Sequence, residues 1–201
     1  MKLYGENGNY GASDWINPIN KILNVLEKDS VLEFGLGNGT QYWCDNFKSV
    51  TSVELSIDPC HKEWTEQTKI NLKDYNNWSC NYIDCPEEIF QANTEAVRYK
   101  YPMTYQDHLP ILKSICVPFI EKEYSLIMVD AGIHNRGDIV NLCFNYAPVI
   151  IAHDTGSQHG TIYGYNIVKC PEEYIEINKP SGHGTKFWIR KNQEQIIGAL
   201  Q

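Results

Sequence analysis

The stretch SVLEFGLGNGTQYW, residues 30–43, constrains this chain more than any other. A short apolar run carries the acidic residue Glu33, and Gly35, Gly37 and Gly39 then fall at every second position before Thr40. Glycine weakens a strand because it loses the most backbone freedom on folding, so three in five residues mark a place where something approaches the backbone. Gly35 and Gly37 permit positive φ and a close neighbour, and Gly39 lets the next helix start near the strand.

The order of elements along the chain sets the architecture. DWINPINKILNVLEK has apolar residues at helical spacing with Asp14 as N-cap, SVLEF is a buried strand, and TQYWCDNF is a helix. SVTSVEL is a second strand, DPCHKEWTEQTKINLKDY a polar helix opened by Asp58 and Pro59, and WSCNYID a third strand. A less regular insertion runs from Cys85 to about Met103, and DHLPILKSICVPFIEK suggests a helix broken by prolines. YSLIMVD and PVIIAHD are apolar strands on either side of the helix RGDIVNLCFNYA, and the strands EEYIEIN and TKFWIRK are joined by the turn KPSGHG. Alternating strands and helices predict right-handed crossovers and an α/β fold: a doubly wound, Rossmann-like, mostly parallel seven-stranded sheet ending in an antiparallel hairpin, with helices on both faces. With 201 residues and no linker or repeat, the chain reads as a single domain over residues 1–201.

In such sheets ligands bind beyond the carboxyl ends of the strands, at the switch point, which is where the glycine turn lies. The dinucleotide fingerprint is G-x-G-x-x-G, whereas this turn is G-x-G-x-G and has Thr40 in the place of the last glycine. Glu33 would repel a pyrophosphate and attract an α-amino group. A cation with an amino-acid tail therefore suits the turn better than a dinucleotide, which argues against a nicotinamide oxidoreductase.

VLEFGLGNGT resembles the first motif of class I S-adenosylmethionine-dependent methyltransferases, in which an acidic residue precedes G-x-G-x-G. The resemblance implies that Glu33, Gly35, Gly37, Gly39 and Thr40 bind the cofactor S-adenosylmethionine. It further implies that Glu54, ending the second strand, accepts hydrogen bonds from the ribose hydroxyls, and that Asp84, ending the third, holds the adenine amino group. IMVDAGIHNRGDIVN and VIIAHDTGSQHG resemble small-molecule and sugar O-methyltransferases, including methyltransferase family 24. These stretches finish the fourth and fifth strands, so Asp130, His134, His153 and Asp154 should converge beside the cofactor as candidate catalytic residues, His153 being the first candidate base and His134 the second. Some members of the group bind a divalent metal, through residues that correspond here to Asp130 and Asp154. His153 stands where those members have a second acid, and a histidine suits a softer ion than Mg²⁺. The resemblance also implies a lid over residues 1–14, with Tyr4 and Tyr10. His159, Tyr163 and Tyr165 follow the fifth strand directly, a position that would line an acceptor pocket.

The expected function is methyl transfer to an oxygen of a small molecule or glycan. Two other readings remain: a nucleic-acid methyltransferase, and a catalytically inactive cofactor-binding interaction module. The formal charge of −8 and the absence of a dense Lys/Arg block disfavour a nucleic-acid partner. VDAGIH is not an N/D-P-P-Y/F motif, and IIAHDT has no lysine of the ribose-methylating kind. The N-terminus has no apolar signal region, no run approaches about 18 apolar residues, and seven cysteines form no C-x-x-C pair. These features lead to the expectation of a cytoplasmic protein with reduced thiols and no membrane span.

Overall fold

The computed structural model describes residues 15–37, 39–56, 59–85, 105–156 and 162–201. The candidate lid over residues 1–14, the capping residues Asp14 and Asp58, and His159 lie outside the described residues.

Seven strands form one sheet: β1 (Ser30–Phe34), β2 (Ser49–Ser56), β3 (Trp78–Asp84), β4 (Leu126–Val129), β5 (Val149–His153), β6 (Tyr174–Lys179) and β7 (Thr185–Arg190). Their order is β3-β2-β1-β4-β5-β7-β6. β1 to β5 run parallel, while β7 lies antiparallel to both β5 and β6, as expected from the sequence. The helices are α1 (Ile16–Ile22), α2 (Thr40–Asn46), α3 (Pro59–Asn71), α4 (Tyr105–Ile120), α5 (Arg136–Cys143) and α6 (Glu194–Leu200). None of the described helices is long and apolar enough to cross a membrane.

Strand side chains alternate between two apolar layers, the period expected of a sheet covered on both sides. Leu32 and Phe34 of β1 and Ile127 and Val129 of β4 join Leu112, Cys116 and Ile120 of α4 with Ile139, Val140 and Cys143 of α5. Val31, Leu126 and Met128 join the opposite layer, with Ile19 and Ile22 of α1, Tyr42 and Trp43 of α2, and Ile196 and Leu200 of α6. Glu33 follows that alternation and is aimed at α2.

Two local expectations are corrected. α4 is continuous from Tyr105 to Ile120 although it contains Pro110 and Pro118. Leu112, Cys116 and Ile120 recur every fourth residue and are fully buried, and that stripe outweighs about 3 kcal/mol of helix disfavour per proline. The terminal segment after β7, for which the sequence reading proposed no element, forms α6, whose Ile196 and Leu200 cover the end of the layer shared with α1.

Gly39 has a different purpose from the one expected. A Cβ there would meet the Trp15 ring at 2.4 Å, and Trp15 is stacked on Trp43 with centroids 4.5 Å apart. Gly39→Ala should therefore destabilise the fold by about 1–3 kcal/mol. Urea unfolding should show that loss shrinking when Trp15 is also changed to Leu; equal losses in both backgrounds would refute the contact as its cause.

Candidate active site at the strand ends

The split between β1 and β4 creates the site. Asp130 N–H donates to Phe34 O at 2.7 Å, and Gly35 N–H donates to Val53 O at 2.9 Å, so the end of β1 is pinned to both neighbours. Gly35 has φ of +103°, and a Cβ on it would lie 2.2 Å from the carbonyl oxygen of Asp130. Only glycine fits there, on both conformational and steric grounds. Gly37 does not have positive φ, contrary to the sequence reading, and a Cβ on it would meet no atom of the described residues nearer than 4.0 Å. Gly35 and Gly39 thus serve the packing of the chain, and of the three Gly37 alone faces open space among the described residues.

The turn is closed from within. Thr40 N–H donates to Gly37 O, and Gly37 N–H donates to Thr40 Oγ1, each at 3.1 Å. The Thr40 hydroxyl in turn donates to Glu33 Oε2 at 2.8 Å. Ser52 Oγ donates to the same oxygen at 2.8 Å while accepting from Trp78 Nε1, and Trp43 Nε1 donates to Oε1 at 3.1 Å. Thr40 is wholly buried and Glu33 nearly so. Both were expected to meet the cofactor, but their side chains lie beneath the turn and brace it. Burial pushes the Glu33 carboxyl up to about 8 against the pull of its hydroxyl and indole donors, so at neutral pH it presents little charge to the mouth.

Glu54 is also buried, at the end of β2. Its Oε2 accepts from Leu36 N–H at 2.5 Å, and its Oε1 lies 3.1 Å from Nδ1 of His61 on α3. Trp64, one turn further along α3, donates from Nε1 to Leu36 O at 3.3 Å. The carboxylate expected at the ribose therefore already touches the turn. Asp84 is exposed at the end of β3, in register with Ser56.

On the other side of the split, Asp130, His153 and Asp154 come together, with one potential ligand atom from each within 4.8 Å of the others. His153 Nδ1 lies 3.3 Å from Asp130 Oδ2 and 3.6 Å from Asp154 Oδ1. Asp154 has φ of +58°, an unusual conformation for a residue with a side chain and one that functional sites often hold. His134 is not brought into this group. It is half-buried and packs edge-on to Tyr163, with centroids 6.2 Å apart.

Two residues that the sequence reading did not single out complete the cluster. Arg136, at the start of α5, turns back so that Nη1 donates to Asp130 Oδ1 at 2.6 Å and to Asp154 Oδ2 at 3.1 Å. Its Nε donates to Ala131 O at 2.6 Å, and its guanidinium lies 3.7 Å from the centre of the Tyr163 ring. His183, on the β6–β7 turn, has Nδ1 3.5 Å from Asp154 Oδ1 and a side chain more than half exposed. That turn is docked on the end of β5: Gly156 N–H donates to His183 O at 2.9 Å and Thr155 N–H to Gly184 O at 3.1 Å.

Tyr163 and Tyr165 were expected to line an acceptor pocket, but both are buried. Tyr163 floors the guanidinium, and the Tyr165 hydroxyl donates to His153 O at 2.8 Å. Burial works against the charged forms of Asp130, His153 and Arg136, and their mutual pairing overrides it. Arg136 and His153 hold Asp130 below the usual carboxylate range, Asp130 and Asp154 hold His153 above the usual imidazole range, and Arg136 is raised further.

Asp130, His153 and Asp154 are residue types that could hold a divalent cation, but the cation that lies between the two acids is Arg136. Each carboxylate has one oxygen engaged by Arg136, and the guanidinium is a fixed positive charge between them. The expectation of metal ligation by Asp130 and Asp154 therefore meets a side chain already filling that part.

Neither a protein-family model nor a curated protein matches the sequence. Solved structures do match in shape. A methyltransferase from Podospora anserina, bound to SAH (S-adenosylhomocysteine), is 11% identical over 93% of this chain and 82% of its own, with a TM-score of 0.54. An O-methyltransferase from Bacillus cereus in complex with SAH is 13% identical, covering 92% and 86%, with a TM-score of 0.53. A methyltransferase-like protein from Silicibacter pomeroyi is 14% identical, covering 94% and 96%, with a TM-score of 0.51. The chain has the class I methyltransferase fold.

Within that fold, the first-motif acid Glu33 gives a direct test of the bracing described above. Its folded-state value near 8 exceeds the ordinary 4.5, so between these values the unfolded chain binds fewer protons than the folded one. Stability should then fall as pH rises, by at most about 1.4 kcal/mol per unit, and level off above 8. Glu33→Gln should flatten this fall, seen as a converging difference between wild-type and variant urea midpoints from pH 5 to 8. Parallel curves would show that Glu33 is ionised in the folded state.

Proposed function

We propose that this protein is an S-adenosylmethionine-dependent methyltransferase acting on an oxygen of a small molecule or carbohydrate. One observation carries the reading: among the described residues Gly37 faces open space, in a turn braced on its other sides, next to a buried carboxylate, Glu54, that reaches the same turn through Leu36. A ligand with a diol would exchange with His61 at Glu54 Oε1, since a carboxylate accepts two neighbouring hydroxyls as readily as one imidazole. Asp84 at the exposed end of β3 is assigned to the adenine end. The SAH-bound neighbours of the same fold support this choice of cofactor.

S-adenosylmethionine supplies an electrophilic methyl group on a sulfonium. The chain must align an acceptor hydroxyl in line with it and take the hydroxyl proton as the new C–O bond forms and the C–S bond breaks. Asp130 and Asp154 turn Nδ1 of His153 towards themselves, which orients the ring and makes it a stronger base. His153 is assigned to the acceptor proton, with His183 at the exposed rim beside Asp154. The acidic charge of the chain, −8, supports an acceptor other than nucleic acid.

Gly37→Val should keep the fold, since its Cβ has room, yet abolish SAH binding in a calorimetric titration. A folded variant that retains wild-type affinity would refute the cofactor assignment, and wild-type binding of NADH but not SAH would redirect it to an oxidoreductase. A second outcome concerns the base. The folded value of His153 lies above the ordinary 6.5, so turnover should rise with pH through a midpoint above 6.5. Asp130→Asn removes the charge that holds the proton and should move that midpoint down; a midpoint that stays in place would exclude His153 as the base.

A further inference from the structure

We infer that Arg136 is a built-in cation that occupies the part of a divalent metal between Asp130 and Asp154, so that this site works without a metal ion. The consequence for catalysis rests on the methyltransferase reading; the occupancy itself rests on geometry alone.

The guanidinium is fixed from three directions. Nη1 bridges the two carboxylates, Nε is held by the Ala131 carbonyl, and the Tyr163 ring lies under the flat face. Its side chain is only 5% exposed. A lysine or a surface arginine could swing aside for an incoming ion, but this one would give up two charge-assisted bonds, a backbone bond and a cation–π contact together.

The surroundings are built for the arginine. Gly137 lets the Tyr163–Tyr165 segment pack onto the first turn of α5, because a Cβ there would lie 2.0 Å from Gly164 O. Gly137 N–H donates to Tyr163 O at 3.0 Å, which secures the ring under the guanidinium. Asp154 adopts its left-handed backbone, and one of its oxygens meets Nη1.

An ion could still address Asp130 Oδ2, Asp154 Oδ1 and His153 Nδ1, which are the atoms turned away from Arg136. It would then sit beside a positive charge that cannot withdraw. Divalent ions favour sites whose carboxylates are not already neutralised, and here two acids are shared with one resident cation. The chemistry of the cluster is thus that of an arginine-clamped acid pair with a histidine, rather than an open metal cup.

The test is a titration of the metal-stripped wild-type protein with MnCl₂ and with ZnCl₂, followed by calorimetry and, for manganese, by loss of the free-ion paramagnetic resonance signal. No saturable binding below about 1 mM is expected from a site with its acids engaged, and SAH affinity should be the same with and without EDTA. Arg136→Met, which keeps much of the volume and frees both acids, should gain at least tenfold in Mn²⁺ or Zn²⁺ affinity. Adding Asp154→Asn should remove that gain. Micromolar binding to wild type that is lost in Asp130→Asn would overturn the inference, as would a folded Arg136→Met that binds no metal. The wild-type arm stands even where the variant fails to fold. Failure of wild type to bind SAH at all would count against the methyltransferase reading and leave the metal arm intact.

Discussion

The contact between Gly35 and the carbonyl of Asp130 is the constraint on which the rest of the site depends. β1 and β4 are neighbours whose onward connections leave in opposite directions, and the crevice opens where they part. With no room for a Cβ at residue 35, the turn lies flush against the end of β4, and the Asp130 N–H bond to Phe34 O holds it there. The other supports act on the same few residues. Glu33 pulls through Thr40 from beneath, Glu54 takes the Leu36 N–H at one side, and Trp15 closes the far end against Gly39. The described residues of this turn are held from several sides, and the space left among them is at Gly37.

Much of the fold was legible in the sequence because its signals are local. Each parallel strand is a short apolar run with its own stop, and the period-two alternation of Leu32 and Phe34 against Val31 and Glu33 is visible without a structure. α4 was harder to read, because Pro110 and Pro118 speak locally against a helix, while the stripe of Leu112, Cys116 and Ile120 matters only once a sheet lies beneath it. Glu33 and Thr40 show the same divide. Their position in the motif is a sequence fact, but whether they face a ligand or the interior depends on Trp43, Ser52 and Trp78, two of which lie on other strands.

The acid–histidine cluster was legible in part, as strand-terminal residues that the topology must bring together. Arg136 was not identified, although a physical signal existed. A cation in the first turn of a helix opposes the helix dipole, and such a residue needs a local anion to justify its place. Here it has two, six residues back at Asp130 and across the next strand at Asp154. His183 offered no comparable signal. Its turn reads as an ordinary glycine-rich hairpin, and only the docking of Gly184 against Thr155 and Gly156 brings it to Asp154.

These two halves of the site are joined through one residue. Asp130 meets the glycine turn with its backbone, Arg136 with one carboxylate oxygen and His153 with the other. Rotating the carboxylate to release the imidazole would also break the arginine bond, and shifting the backbone would collide with Gly35. The distance from Gly37 to His153 is therefore set by the sheet. For the proposed in-line displacement, which is sensitive to distances at the scale of an ångström, the ends of β1 and β5, on either side of β4, would hold both partners in place. On this geometry the spacing between the glycine turn and His153 is already a property of the fold.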